Sequence, residues 1–219
     1  MKKLTLLLIA TMSLSVFAQK EVKEGVISMT MKMSSENEQV NASLAMMGDL
    51  SSTTYFKGQK SRSEQKVPMA GETISIIDND AKVMLILMDN PMMGKKYLKN
   101  DIEVSEDDLK NLTISETGDT KTVLDYECKG YNIVMKKDGQ EMKMTMYTTD
   151  KIVAPTQNST MMGDKLKGFP MYTVMNMTQQ GMPMTITMEV TEIKAENVDN
   201  SKFDLTPPEG YTETEMPKQ

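Results

Sequence analysis

Three kinds of side chain in this sequence could act chemically on another molecule: the carboxylate triplet Glu106-Asp107-Asp108, one thiol at Cys128, and thioethers recurring at every second position in several segments. Carboxylates can exchange protons, a thiolate can attack, and thioethers can line an apolar site or hold a soft metal. The 219 residues include no His and no Trp. Without imidazole, Ser-His-Asp and Cys-His nucleophilic pairs are excluded, as is His-ligated zinc or haem. The triplet falls where a helix should begin, with Ser105 and Asp108 as a capping box, so its charge is read as facing a helix dipole rather than a substrate. A glycosidase is disfavoured by the lack of Trp platforms. Asp78-Asn79-Asp80 lacks the length and the glycine of a calcium loop and reads as a turn. Lys95-Lys96 and Lys136-Lys137 read as solvated turn charges. Cys128 has no partner in the chain and reads as a buried, inert thiol. No catalytic residue, cofactor or resident metal ion is expected, and the protein is not expected to be an enzyme.

The charge balance narrows the partners. Lys and Arg number 25 against 31 Asp and Glu, and Arg62 is the only arginine. A surface that tracks nucleic-acid phosphates needs clustered cations, so nucleic acid is excluded. Lys2 and Lys3, the apolar run Leu4 to Ala10 and the small residue before Gln19 stand in the order of a secretory leader. Residues 1–18 are therefore expected to be a signal peptide, and 19–219 one exported domain, periplasmic or secreted. No later run approaches the roughly 20 apolar residues of a membrane span. No cysteine stands at the cleavage site to take a lipid, so the mature chain is expected to be soluble and unanchored.

In the segments that carry these thioethers the dominant period is two. Ile27, Met29, Met31 and Met33 alternate with Ser28, Thr30 and Lys32, as a half-buried strand requires. The pattern returns in Tyr131, Ile133 and Met135, in Met142, Met144 and Met146, and in Met184, Ile186 and Met188. Regular polar faces imply a sheet wet on one side, which antiparallel sheets permit. Only Val83 to Met88 is apolar without a break, so that strand is expected to be covered on both faces. Turn residues at Asp78-Asn79-Asp80, Asp138-Gly139, Gln179-Gln180-Gly181 and Gly58 predict hairpins, Asp-Gly most strongly. The spacing predicts about nine to eleven strands. Helices are expected at Glu38 to Met47 and Ser105 to Leu112, while Thr156 to Lys167 is polar and ambiguous. The fold class is mainly β with a few short helices.

Methionine carries the functional signal. In the expected mature chain Met outnumbers Leu by 23 to 10. An unbranched thioether adapts to many shapes, whereas a core needing only stability favours defined rotamers. One row of three or four Met or Ile side chains represents on the order of 5 to 10 kcal/mol when buried. Several uncovered rows would exceed the apolar patch a soluble monomer tolerates. The cover could be a second sheet, barrel closure, the helices, or a bound apolar ligand. The expected lining is Met29, Met31, Met33, Met142, Met144, Met146, Met184 and Met188, with Val40 and Leu44 on a candidate lid. Two other readings stay open: a Met-rich Cu(I)-binding protein, and a scaffold with a closed core and no ligand. The tripeptide Met-Met-Gly recurs at Met46, Met92 and Met161, either as adhesive loop tips or by chance.

Four segments carry a family resemblance: Phe56-Lys57-Gly58-Gln59-Lys60-Ser61-Arg62, Tyr126-Glu127-Cys128-Lys129-Gly130-Tyr131, Lys167-Gly168-Phe169-Pro170, and Phe203-Asp204-Leu205-Thr206-Pro207-Pro208-Glu209-Gly210-Tyr211. Through them the chain resembles the exported bacterial domain-of-unknown-function family numbered 4412, which is similar in strand order and length to the carriers typified by LolA and LolB. The resemblance implies a curved antiparallel sheet, an incomplete barrel, whose concave side holds acyl chains beneath small helices. It also implies an apolar small molecule or lipid as partner, transient contact with a membrane or envelope protein, and a basic residue near the mouth.

Overall fold

The computed structural model of the chain describes residues 20–68, 70–102, 109–137, 140–179 and 181–214. The expected leader, 1–18, and the carboxylate triplet lie outside them. The strands are β1 (Glu24–Ser35), β2 (Leu50–Lys57), β3 (Lys60–Val67), β4 (Gly71–Asp78), β5 (Val83–Asn90), β6 (Gly94–Asp101), β7 (Leu112–Val123), β8 (Tyr126–Lys137), β9 (Gln140–Thr149), β10 (Phe169–Gln179), β11 (Met182–Lys194) and β12 (Thr212–Glu213). All belong to one sheet, ordered β12-β6-β5-β4-β3-β2-β1-β11-β10-β9-β8-β7. Two antiparallel meanders, β1–β6 and β7–β11, are thus joined where β1 pairs with β11. The two edges are different strands, so the sheet is an incomplete barrel. Bulges at Ser28/Met29, Glu116/Thr120 and Pro170/Tyr172 bend it, since an extra unpaired residue increases local twist.

Strand pairing closes hairpins at the expected turns: Lys57 pairs with Lys60 around Gly58 (φ 56°), Asp78 with Val83, and Gln179 with Met182 around the positive-φ Gly181, while Lys137 pairs with Gln140 on either side of Asp138-Gly139, which lie outside the described residues. The count exceeds the expected range by the two-residue β12, a parallel partner of β6 too short to show alternation. The expected helix Ser105 to Leu112 does not reach its end, because Leu112 is buried at the start of β7.

The buried face changes sides across the sheet. In β1 and β7–β11 the concave face is apolar; Met144 and Met146 are covered there by Met162 and Leu166 of the segment containing α2 (Gln157–Met162) and a following 3-10 turn. Cross-strand register carries the same face from β1 through β2 to Ser61, Ser63 and Gln65 of β3 and Thr73 and Ser75 of β4. On β4 and β5 the apolar residues Ile74, Ile76, Leu85 and Leu87 occupy the opposite, convex face, packed under Leu205 and Tyr211. The expectation of one wet face is thereby corrected for β4 and β5, where the fully buried Ile and Leu row is convex while the concave side carries the buried Ile77 and the half-buried Met84, Ile86 and Met88. Val83 to Met88 is covered by the C-terminal segment over Leu85 and Leu87, while Val83, Met84, Ile86 and Met88 are half-buried.

Helix α1 (Glu38–Met47) starts where Asn37 accepts from the Gln39 and Val40 amides. None of its residues is fully buried. The Met-Met-Gly tripeptides differ in fate. Met46, in the last turn of α1, and Met92, in the β5–β6 turn, are about nine-tenths exposed at the same end of the sheet, whereas Met162 is buried.

The C-terminal segment is held on the convex face by polar contacts as well. Lys202 Nζ lies 3.9 Å from the centre of the Tyr55 ring and 3.5 Å from Glu64, and the Val198 amide donates to Glu24 at 2.8 Å. Phe203 is its buried anchor. Removing that ring by Phe203→Ala should lower the unfolding free energy by about 3–5 kcal/mol in urea titration, by exposing the convex Ile and Leu row. A second test concerns Asp78, where burial opposes the charge, yet hydrogen bonds from Lys60 Nζ (2.8 Å) and the Ala81 amide (2.9 Å) hold its carboxyl below the ordinary value. A depressed carboxyl stabilises above its unfolded pKa, about 4, and that contribution is lost as pH falls through the folded value. Lys60→Met should therefore cost about 1–2 kcal/mol at neutral pH, the half-exposed amine limiting the loss, and the gap to the parent should close in acid.

Candidate functional site

Where the apolar face crosses over, neither the C-terminal segment nor α2 covers the concave side, and a cavity of about 380 Å³ lies there. One wall is mainly apolar: Met29 and Met31 of β1, Met175 of β10, and Ile186 and Met188 of β11, with Thr173 of β10 among them. The facing wall is mainly hydroxyl and amide: Ser52 and Thr54 of β2, Ser61, Ser63 and Gln65 of β3, and Thr73 and Ser75 of β4, with the buried Ile77 of β4 at its end. Phe169 and Pro170, with Pro155 to Gln157, close one side of the space. None of the lining residues is charged. Strand β1 is the seam between the walls, since Met29 stands opposite Ser52 on one side and Val190 on the other. Thr54 Oγ1 donates to Ser63 Oγ at 3.2 Å, while Ser75 Oγ is buried without a hydrogen-bond partner.

The structure divides the expected lining. Met29, Met31 and Met188 are in the cavity wall, with Met31 directly opposite Met188. Met33 and Met184 share that face further toward the α1 end and are half-buried, outside the wall. Met144 and Met146 are buried under α2, and Met142 packs against the same cluster, so the β9 row is core. Val40 and Leu44 are half-buried on α1, which packs on β1, and neither lines the cavity. Arg62 points to the convex face, paired with Glu64 and facing the Lys202 carbonyl, so it does not serve a cavity mouth. The hydroxyl wall escaped sequence reasoning. Its signal was present in the Gly58 hairpin, whose register sets Ser61, Ser63 and Gln65 beside Phe56, Thr54 and Ser52.

The sequence matches the family described as "Domain of unknown function (DUF4412)" over residues 24–211. No curated protein matches it. Among solved structures, PNGF-II is 14% identical with a TM-score of 0.49, the alignment covering 87% of this chain and 31% of that one. This chain therefore spans less than a third of PNGF-II. Lipoprotein LppX of Mycobacterium tuberculosis is 6% identical with a TM-score of 0.36, covering 80% of this chain and 89% of that one. Both likenesses are too distant to carry an argument about activity.

Cys128 sits in the cluster of Ile27, Phe56, Ile152, Phe169 and Met171, fully buried and away from the cavity wall. Burial pushes its thiol up to about 11, the Val123 backbone bonding only partly offsetting this. A thiol raised in the folded state stays protonated, so it is a poor nucleophile at neutral pH, and its share of stability is lost as pH climbs from about 8.5 toward the folded value. Maleimide labelling of the native protein near pH 8 should run at least about a hundredfold slower than in denaturant.

Proposed function

The chain belongs to the family described as Domain of unknown function (DUF4412), and from that premise we propose that it is an exported, periplasmic binding protein that carries a lipid or another elongated apolar group in the concave cavity, without catalysing a reaction. The observation that carries this reading is the uncharged 380 Å³ space walled on one side by Met29, Met31, Met175 and Met188. That volume lies within the range of small-molecule sites, which are lined mainly by apolar groups with a few polar ones for orientation. Thioether side chains re-pack at low cost, so the wall accommodates chains of differing length. The arrangement resembles the LolA and LolB type in its open sheet with a short helix on the concave side.

A further feature supports carriage. Exposed Met46, Met92 and Met93 share one end of the sheet and offer apolar contacts for a donor or acceptor membrane. A second reading, Cu(I) binding, draws on the cross-strand pair Met31 and Met188, because paired thioethers are soft ligands.

The reading is tested by native mass spectrometry of protein purified from its host, with an apolar adduct expected. It is tested independently by the neutral dye N-phenylnaphthylamine, whose fluorescence should rise on mixing. Met31→Trp, which narrows the cavity, should weaken dye binding by about tenfold or more while leaving the fold intact. Absence of both adduct and dye enhancement overturns the carrier reading, and stoichiometric Cu(I) retained against bathocuproine would replace it with the second.

A further inference from the structure

We propose that the cavity selects an uncharged amphiphile, a chain bearing neutral hydroxyl, ester or amide groups along one edge, in preference to an ionised fatty acid. The inference rests on reading the cavity as a lipid site and specifies the chemistry it accepts.

The first argument is charge. With no Lys or Arg in the wall, a carboxylate drawn inside would lose water and find no counter-ion, and burying an unpaired charge is the costliest exchange available. The second is the hydroxyl wall. Ser52, Ser63, Gln65 and Thr73 point inward at positions where β-branched apolar residues would suit a strand facing an oily chain. A bare hydrocarbon laid against them would strip their water and return nothing. Hydroxyls that bond only each other, as Thr54 does to Ser63, still hold unused donor or acceptor capacity. The third is Ser75, whose buried Oγ has no partner in the protein. A buried hydroxyl left unmatched costs stability, and rotation about the Ser75 Cα–Cβ bond toward the cavity would let an oxygen or N–H on the ligand's edge match it. The methionine wall then takes the chain while the opposite wall reads the neutral polar groups.

The test displaces N-phenylnaphthylamine from the full mature protein with monolaurin or with laurate at mildly alkaline pH, both below their micelle concentrations. Monolaurin should displace the dye at about tenfold lower concentration than laurate. Ser75→Ala and Gln65→Leu should each erode that advantage about three- to tenfold, read as the ratio of the two displacing concentrations within each variant. Because Ser75 Oγ has no bond to lose, Ser75→Ala should keep or raise the melting temperature, which separates a binding loss from misfolding. If laurate equals monolaurin, or if neither variant changes the ratio, the neutral-edge inference is overturned while the lipid site stands. If the dye binds nowhere, the lipid site itself fails, and this inference with it.

Discussion

A β-sheet has two faces, and in this protein the apolar one lies on opposite sides in the two halves. Ile74, Ile76, Leu85 and Leu87 face outward on β4 and β5, while Ile133, Met144 and Met146 face inward on β8 and β9. Neither set can stay in water, since four buried Ile or Leu side chains represent on the order of 6–12 kcal/mol. Two covers are needed on opposite sides, and the chain supplies the C-terminal segment for one and the α2 region for the other. Between them the concave face turns from thioether to hydroxyl. Neither cover extends over that crossover, and the cavity is the gap left there.

The motifs that tie the chain to its family serve these closures more than the cavity. Phe203, Leu205 and Tyr211 seat the C-terminal cover. Gly168 adopts φ 87° with the Thr149 carbonyl so near that a Cβ would stand 2.7 Å from it, which lets Phe169 turn into the core. Gly130 is closed in by Thr117, Asp119 and Tyr147, and Cys128 fills the cluster between the meanders. Only Ser61, Phe169 and Pro170 from those motifs reach the cavity. Those four segments thus serve the covers and the core more than the cavity.

Much of the architecture was legible because alternation and turn chemistry act locally. Met29 and Met31 could be assigned to one face of a strand, and Gly58 to a hairpin, from neighbours alone. Which cover lies over a given face is a long-range fact. The row at Met142, Met144 and Met146 reads the same as the row at Met29 and Met31, yet α2 buries the first and leaves the second lining a cavity. The α2 segment itself, at 157–162, is too short and polar for helical periodicity to show, and its fixing groups, Met162 and Leu166, act across the sheet. The hydroxyl wall was hidden for a related reason. Serines and threonines on a strand suggest the wet face, and only the crossover of the apolar side puts them inside.

That crossover decides what selectivity such a cavity can have. If the proposed reading holds, a chain leaving a bilayer for the methionine wall would exchange one apolar environment for another, so its methylenes, worth about 0.8 kcal/mol each against water, would contribute little to the difference. An all-thioether pocket would therefore hold many chains about as well as the membrane does, and prefer none. Discrimination must come from contacts that the bilayer interior cannot make, and those are hydrogen bonds to the β2–β4 side. Each is modest in net worth, about 0.5–1.5 kcal/mol, but the penalty for leaving such groups dry and unmatched is larger. On the proposed carrier reading the polar wall would act by exclusion, lowering the affinity of chains that cannot answer it, while the apolar wall would keep exchange with a membrane close to balanced and so reversible.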